Sequence, residues 1–351
     1  MTWTVVQPRF HDLVVSTYGR GFYILDDISP LEAEATKAQP RAQVALLPIR
    51  PTWRLGRGEQ VIINFTLKDA AKDATGDSVK LEILDPEGHV IRTLAGAGRS
   101  GLNRMKWDLR YEDLKTVILR TTPPENPHIW DDPRFKGKTS RPVFHWGMSP
   151  HQRGPMAIAG SYIARLTAGG QTVLAPFELR TDPKAQASAE DLKFALDLQL
   201  RVAADIETVA ARVNLLEQMR HQLEEAQIKA SPAGRIAIAE ADERLKAVEY
   251  EMFSKALAPS DDKYFVSAYK TYFHLMWLRA EIGDGAGDVQ GNANLRPTPT
   301  QVGLVAELEE EMKVSKAHYD ALIQSLPALN KRLASLGLPA LETVLRQPDA
   351  A

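Results

Sequence analysis

The sequence predicts a multidomain α+β fold, built from a short β-hairpin, an antiparallel β-sandwich and an antiparallel α-helical bundle. Three observations predict it: glycine-flanked β-rich runs near residues 13–25, a period of two from about 45 to 180, and a helical period from there onward. At 351 residues the chain exceeds what one hydrophobic core serves, so more than one domain is expected. The boundaries fall at 1–40, 41–183 and 184–346.

Leu13 to Thr17 and Phe22 to Leu25 flank Tyr18-Gly19-Arg20-Gly21, the pattern of a hairpin whose glycines supply the turn, and Asp26, Asp27 and Pro30 end it. A lone hairpin is marginal in water, so this one is expected to lean on a neighbouring sheet or on strands outside this chain. In the second region Val61, Ile63, Phe65 and Leu67 alternate with Ile62, Asn64 and Thr66, and Val79, Leu81 and Ile83 with Lys80 and Glu82. Each strand is therefore expected to have one buried face. Pro86-Glu87-Gly88 and Gly169-Gly170 read as turns, and about seven short strands at this spacing suggest a sandwich. Residues 111–158 carry seven prolines, which bar central strands and mark an inserted loop, expected to fold onto the sandwich.

Four helices follow. Ser188 with Asp191 forms a capping box before Leu192, Leu196, Ile206, Val209, Val213, Leu216 and Leu223. Ser231-Pro232 opens a second helix through Leu245, Val248 and Met252, closed by Pro259. Asp261 or Asp262 caps a third, with Phe265, Tyr269, Tyr272, Met276 and Ala280 on one face. Thr298, Pro299 and Gln301 open the fourth, whose Val305, Leu308, Met312, Ser315, Tyr319, Leu322 and Leu326 form a seam suited to other helices of the bundle or to an oligomer. Pro327 is expected to kink or interrupt it.

Composition narrows function. With 43 basic and 45 acidic residues the formal net charge is −2, which offers no general attraction to nucleic acid or anionic membranes. Zero cysteines exclude disulfides, zinc-thiolate sites and thiol nucleophiles, and suit either cytosol or periplasm. Residues 1–7 lack the features of a secretory signal, and the densest apolar stretch, Tyr272 to Leu278, is too short to span a bilayer.

Chemical motifs are sparse. No Gly-x-Ser-x-Gly elbow occurs; His221 with Glu224 and Glu225 lacks a second helical histidine; and Asp284, Asp288, Asn292 and Asn294 do not have EF-hand spacing, so that loop reads as a connector. The acidic pairs Asp26-Asp27, Asp131-Asp132 and Asp261-Asp262 read as turns or caps. No catalytic residue, metal ligand or cofactor is assigned. The candidates for ligand binding are Trp130, His145 and Trp146, with His151, on the proline-stiffened loop, where rings suit stacking on a sugar or gripping a peptide, and Tyr18 and Arg20 at the hairpin turn. For Trp130, His145 and Trp146 the competing reading is packing.

Two stretches resemble a known family. His11-Asp12-Leu13-Val14-Val15-Ser16-Thr17-Tyr18-Gly19-Arg20-Gly21-Phe22-Tyr23-Ile24-Leu25-Asp26-Asp27 resembles the last blade of bacterial sortilin-like β-propellers with BNR repeats, an exported, glycosyl-hydrolase-like group. Gly101-Leu102-Asn103-Arg104 running into Trp107-Asp108-Leu109-Arg110-Tyr111, then Gly160-Ser161-Tyr162 with Arg165-Leu166-Thr167, is similar to the sandwich after that propeller, and to the immunoglobulin-like domain of flagellar hook-capping proteins. The Asp191-Leu192 and Arg296-Pro297-Thr298 helix starts are similar to the family's C-terminus. The resemblance implies an immunoglobulin-like sandwich and the end of a longer exported, periplasmic or cell-surface protein, reached here by a fragment, a split gene or a misassigned start. It implies a non-catalytic structural and binding module with the upstream propeller or another chain as partner, and contact with protein or glycan. The alternative is an accessory part of a glycan- or peptide-acting hydrolase whose active site lies in upstream propeller sequence.

Overall fold

In a computed structural model of the chain, the described residues are 3–8, 10–36, 42–56, 58–71, 79–123, 126–145, 148–257, 267–287 and 289–346. In chain order the elements are β1 (Trp3–Gln7), β2 (Asp12–Ser16), β3 (Phe22–Leu25), α1 (Ser29–Thr36), β4 (Val44–Leu46), β5 (Thr52–Arg54), β6 (Val61–Leu67), β7 (Val79–Leu84), β8 (Val90–Gly96) and β9 (Gly101–Trp107). There follow β10 (Ile118–Leu119), β11 (Arg141–Pro142), β12 (Gly160–Ala168), β13 (Gln171–Thr181), α2 (Ala189–Gln227), α3 (Pro232–Met252), α4 (Thr271–Ile282), β14 (Gly285–Ala286), β15 (Val289–Gln290) and α5 (Pro299–Ser335). The fold is mixed α+β, with several small, mainly antiparallel sheets and a C-terminal helical region.

Two compact units emerge: Met1–Arg110 with Ile158–Lys184, and Tyr111–Ala157 with Ala185–Ala351. In the first, strands order as β5-β13-β12-β7-β8 in one sheet and β4-β6-β9 in another. Rings from both sheets meet in its core, Trp107 of β9 lying 5.6 Å from Tyr162 and 5.9 Å from Phe177. The Trp107 indole N–H donates to the Arg110 carbonyl at 2.8 Å, so the buried ring leaves no polar atom unmet. The period-two reading finds β6, β7, β12 and β13, and the Gly88 and Gly169-Gly170 turns take the positive φ it needs. Two details differ. The short β5 runs parallel to β13, and β6, and β7 apart from the exposed Lys80, bury both faces, because Asn64 and Glu82 on the polar faces are covered by hydrogen-bonded partners. Arg165 beside Glu82 holds that carboxyl below its ordinary range, against the opposing effect of burial.

In the second unit, α2 begins at the Ser188–Asp191 capping box and α5 at the Thr298–Gln301 capping box, as expected, and α3 has Ser231 as cap with Pro232 in its first turn. The third helix starts later than the sequence suggests: α4 begins at Thr271 after Lys270, so Tyr269 precedes it, while Pro259, Asp261, Asp262 and Phe265 lie outside the described residues. Pro327 does not interrupt α5, which continues to Ser335. The seam on α5 is buried inside this unit by α3, α4 and α2, which removes it as an exposed oligomerisation surface.

The inserted segment departs most from expectation. Residues 111–157 group with the helices, not with the sheets, and Val117, Leu119 and Val143 belong to the helical core. The physical reason is a match of backbone donors to side chains of α2. Lys115 N–H donates to Glu207, Ile118 N–H to Asn214, Arg120 and Thr121 N–H to Glu217, and Thr122 N–H to Glu224, at 2.5 to 3.0 Å. Asn214 also donates to the Thr116 carbonyl at 2.9 Å, and Val117 N–H reaches the Tyr272 hydroxyl at 3.2 Å. Seven steps of extended chain at about 3.3 Å cover ~23 Å, and seventeen helical steps at 1.5 Å cover ~25 Å, so the two rows stay in register. Outside the two-residue pairing of β10 with β11, this proline-rich backbone is thus satisfied by a helix face. At its neck, Tyr111 N–H bonds Pro155 and Leu114 N–H bonds Gln152, and Gly154 is required there because a Cβ would lie 2.3 Å from the Tyr111 and Glu112 carbonyls.

Candidate functional site

The hairpin is part of a three-stranded meander in the order β1-β2-β3. Residues 3–7, read in the sequence only for what they lack, supply its first strand; Trp3, Val5 and Val6 were its signal, an apolar alternation too short to stand alone. Thr17 N–H donates to the Gly21 carbonyl, and Gly19 and Gly21 both take positive φ, so the turn forms as its glycines dictate. Register places Trp3, Val5, Val14, Phe22 and Ile24 on one face and Val6, Leu13, Val15, Tyr23 and Leu25 on the other. Both faces are apolar, the composition of a strand buried on two sides. Yet Trp3 is 71% exposed, Phe22 77% and Ile24 63%, and every residue of β3 is exposed. Burying such side chains is worth roughly 1.5–3 kcal/mol each, an energy this meander leaves unused.

Its C-terminal end is fixed by polar contacts. Asp27, buried and held at φ 54°, accepts from the Ser29 N–H and hydroxyl at 3.2 and 2.6 Å, from Asn64 of β6 at 3.4 Å, and pairs with Arg50 at 3.0 Å. Its own N–H donates to Asp12 at 3.0 Å, and Arg104 of β9 donates to the Asp26 and Asp27 carbonyls at 3.0 Å each. The meander is thus anchored at one end while its apolar faces stay open.

The predicted ligand residues are divided between the two units. Tyr18 and Arg20 sit at the exposed tip of the meander. Trp130 is half-buried and donates its indole N–H to the Thr122 hydroxyl at 3.0 Å. His145 is buried, with Nδ1 2.7 Å from the Leu257 carbonyl and Nε2 3.2 Å from the Tyr269 hydroxyl, among the rings of Tyr269, Phe273 and Trp277. It packs the inserted segment onto the helices. Trp146 lies outside the described residues, and His151 pairs with Asp113 at 3.1 Å.

Sequence reading missed a buried charged group in the helical unit. Burial alone would push the fully enclosed Glu217 up, but Lys255 at 3.1 Å, the Thr121 and Arg120 N–H groups and the Thr121 hydroxyl hold it at about 2. Burial, reinforced by the Glu217 charge, pushes Glu249 up to about 8 although Arg220 lies 2.8 Å away; Asp242, at 2.7 Å, also holds Arg220 charged. Their signal was phase: Glu217 and Arg220 continue the spacing of Val213, and Glu249 sits between Leu245 and Met252. Glu217, Glu249, Arg220 and Lys255 are buried, and the group fastens α2, α3 and the inserted segment. A neighbouring cleft of about 540 Å³ is lined by Arg120, Gln218, His221, Glu225 and Arg346. Arg346 is committed to Glu342 and its carbonyl to Arg120, and Thr139 also lines the cleft. Among the described residues no group of acidic and histidine side chains is placed to hold a metal ion, and no helix is long and apolar enough to cross a membrane.

No protein-family model and no curated protein matches the chain. Among solved structures, it is similar to a crystal structure of a Salmonella alpha-2-macroglobulin mutant, at 18% identity and a TM-score of 0.21. That match covers 50% of this chain and 9% of the other, a likeness too slight to define fold or role.

Proposed function

We propose that this chain is a non-catalytic structural and binding module, and that the β1–β3 meander is the surface by which it joins a partner sheet. The observation that carries this reading is the meander's apolar character on both faces together with the exposure of those faces. A propeller blade is buried on each side by a neighbouring blade, and its strands need apolar residues on both. The partner we infer is therefore blade-like: the propeller of a sortilin-like BNR-repeat protein, in the same polypeptide or in another chain. In this reading the remaining strands of the first unit form an immunoglobulin-like sandwich and α2 to α5 a four-helix bundle, both serving as rigid support. The alternation of the strands, the Trp107–Tyr162–Phe177 core and the two capping boxes support those finer assignments.

The test is photo-cross-linking from a benzophenone side chain placed at Ile24 in cells that make the protein, with the joined peptides sequenced. The expected product links this position to a BNR-type blade strand. Adducts confined to the chain's own two units would contradict the reading.

A further inference from the structure

We infer that the groove between α4 and α5 is a docking site for a lysine or arginine side chain of a peptide segment. The groove, of about 280 Å³, is lined by His274, Trp277, Leu278 and Glu281 of α4 and by Leu304, Glu307, Leu308 and Glu311 of α5. Spacings of three and four put each set on one helix face. Its floor is apolar, Leu278 and Leu308 being buried, Trp277 half-buried and Leu304 40% exposed. Its rim carries three exposed carboxylates, from Glu281, Glu307 and Glu311.

What makes the rim informative is the contrast with the rest of α5. Glu309 pairs with Arg201, Glu310 with Lys313 and Asp320 with Lys316. Among the described residues no cation reaches Glu281, Glu307 or Glu311, and Glu311 has only the Thr271 hydroxyl at 3.3 Å. Glu307 and Glu311 are like charges four apart, an arrangement unfavourable on a helix until a cation arrives. That cation is organic, not metallic. The carboxylates are not gathered closely enough to chelate an ion, and an indole with leucines lines the space between them. A lysine or arginine supplies both parts, an aliphatic stem for Trp277 and the leucines and a positive head for the rim, with the indole face adding cation–π attraction. The volume lies just below the range of cofactor and drug pockets, so it suits one side chain. Exposed Leu304 offers apolar surface to a residue flanking that side chain, which favours a peptide over a free diamine.

The probe is a capped, fluorescein-labelled peptide with one lysine between leucines, titrated with the full chain and followed by anisotropy. Binding is expected below ~1 mM. It should weaken at least about tenfold when the lysine is replaced by norleucine, at least about tenfold in the Glu281→Gln, Glu307→Gln, Glu311→Gln triple variant, and severalfold in 0.5 M salt. The triple variant should keep the wild-type melting temperature, since its side chains are exposed. Absence of binding at ~1 mM, equal binding of the norleucine peptide, undiminished binding by the triple variant, or a diaminopentane affinity matching the lysine peptide would each overturn the proposal.

Discussion

The meander and the α2 helix face handle extended backbone in opposite ways. In the meander, β1 and β3 pair their inner edges with β2 and leave both apolar faces open. Along α2, a proline-rich segment that makes only the short β10–β11 pairing gives its N–H groups to Glu207, Asn214, Glu217 and Glu224, and its apolar side chains enter the helical core. The second arrangement is complete within the chain; the first has made its hydrogen bonds and still lacks its burial. Hydrogen bonds fix geometry at about 1 kcal/mol each, whereas burial supplies most of the driving force, so a sheet with the first and not the second is weakly held by itself.

Breaking the completed region should cost most. Glu217→Ala strands Lys255 in the interior and leaves Thr121 unmet, and is expected to destabilise the helical unit by about 3–5 kcal/mol in urea unfolding followed by circular dichroism. Glu249 has the opposite sense. It keeps its proton in the fold up to about pH 8 but loses it near 4.5 when unfolded, so the folded state holds more protons between those values and stability falls as pH rises through them. Glu249→Gln should flatten that descent, a gain on the order of 2 kcal/mol at pH 9 and little at pH 4.5. The contribution of Glu217 is complete above pH 4.5 and lost as pH falls toward about 2, so acid unfolding of the variant should begin where that of the parent does. Asn214→Ala removes a clamp on the Ile118 N–H and the Thr116 carbonyl, an expected loss of about 1–2 kcal/mol by the same unfolding assay. The smallest effect belongs to the open region: Phe22→Ser with Ile24→Ser should change stability by less than about 0.5 kcal/mol, because both side chains already face solvent. A larger loss would show that the meander is covered.

Much of the fold was legible because local signals decide it. Ser188 with Asp191 and Thr298 with Gln301 announce α2 and α5 through capping chemistry that needs no distant partner, and the Val61–Leu67 alternation announces β6. The destination of residues 111–157 was not legible, because Glu217 and Asn214 look like ordinary helical polar residues until the segment that needs them is laid alongside. The prolines said only where that segment would not go. His145 was left between two readings for a related reason: an aromatic on a proline-stiffened loop suits a ligand or a core equally, and its contacts with Leu257 and Tyr269 come from more than a hundred residues away. The open meander faces were the reverse case, since Leu13–Thr17 and Phe22–Leu25 read plainly as strands while nothing local says what should cover them.

The most direct test of the central claim is amide hydrogen exchange on the purified chain, resolved by residue. The account predicts that β1 and β3 exchange orders of magnitude faster than β6, β12 and α2, as expected of a small sheet with no core of its own. Protection of β1 and β3 equal to that of β6 in the isolated chain would mean that the meander is already buried, and would contradict it.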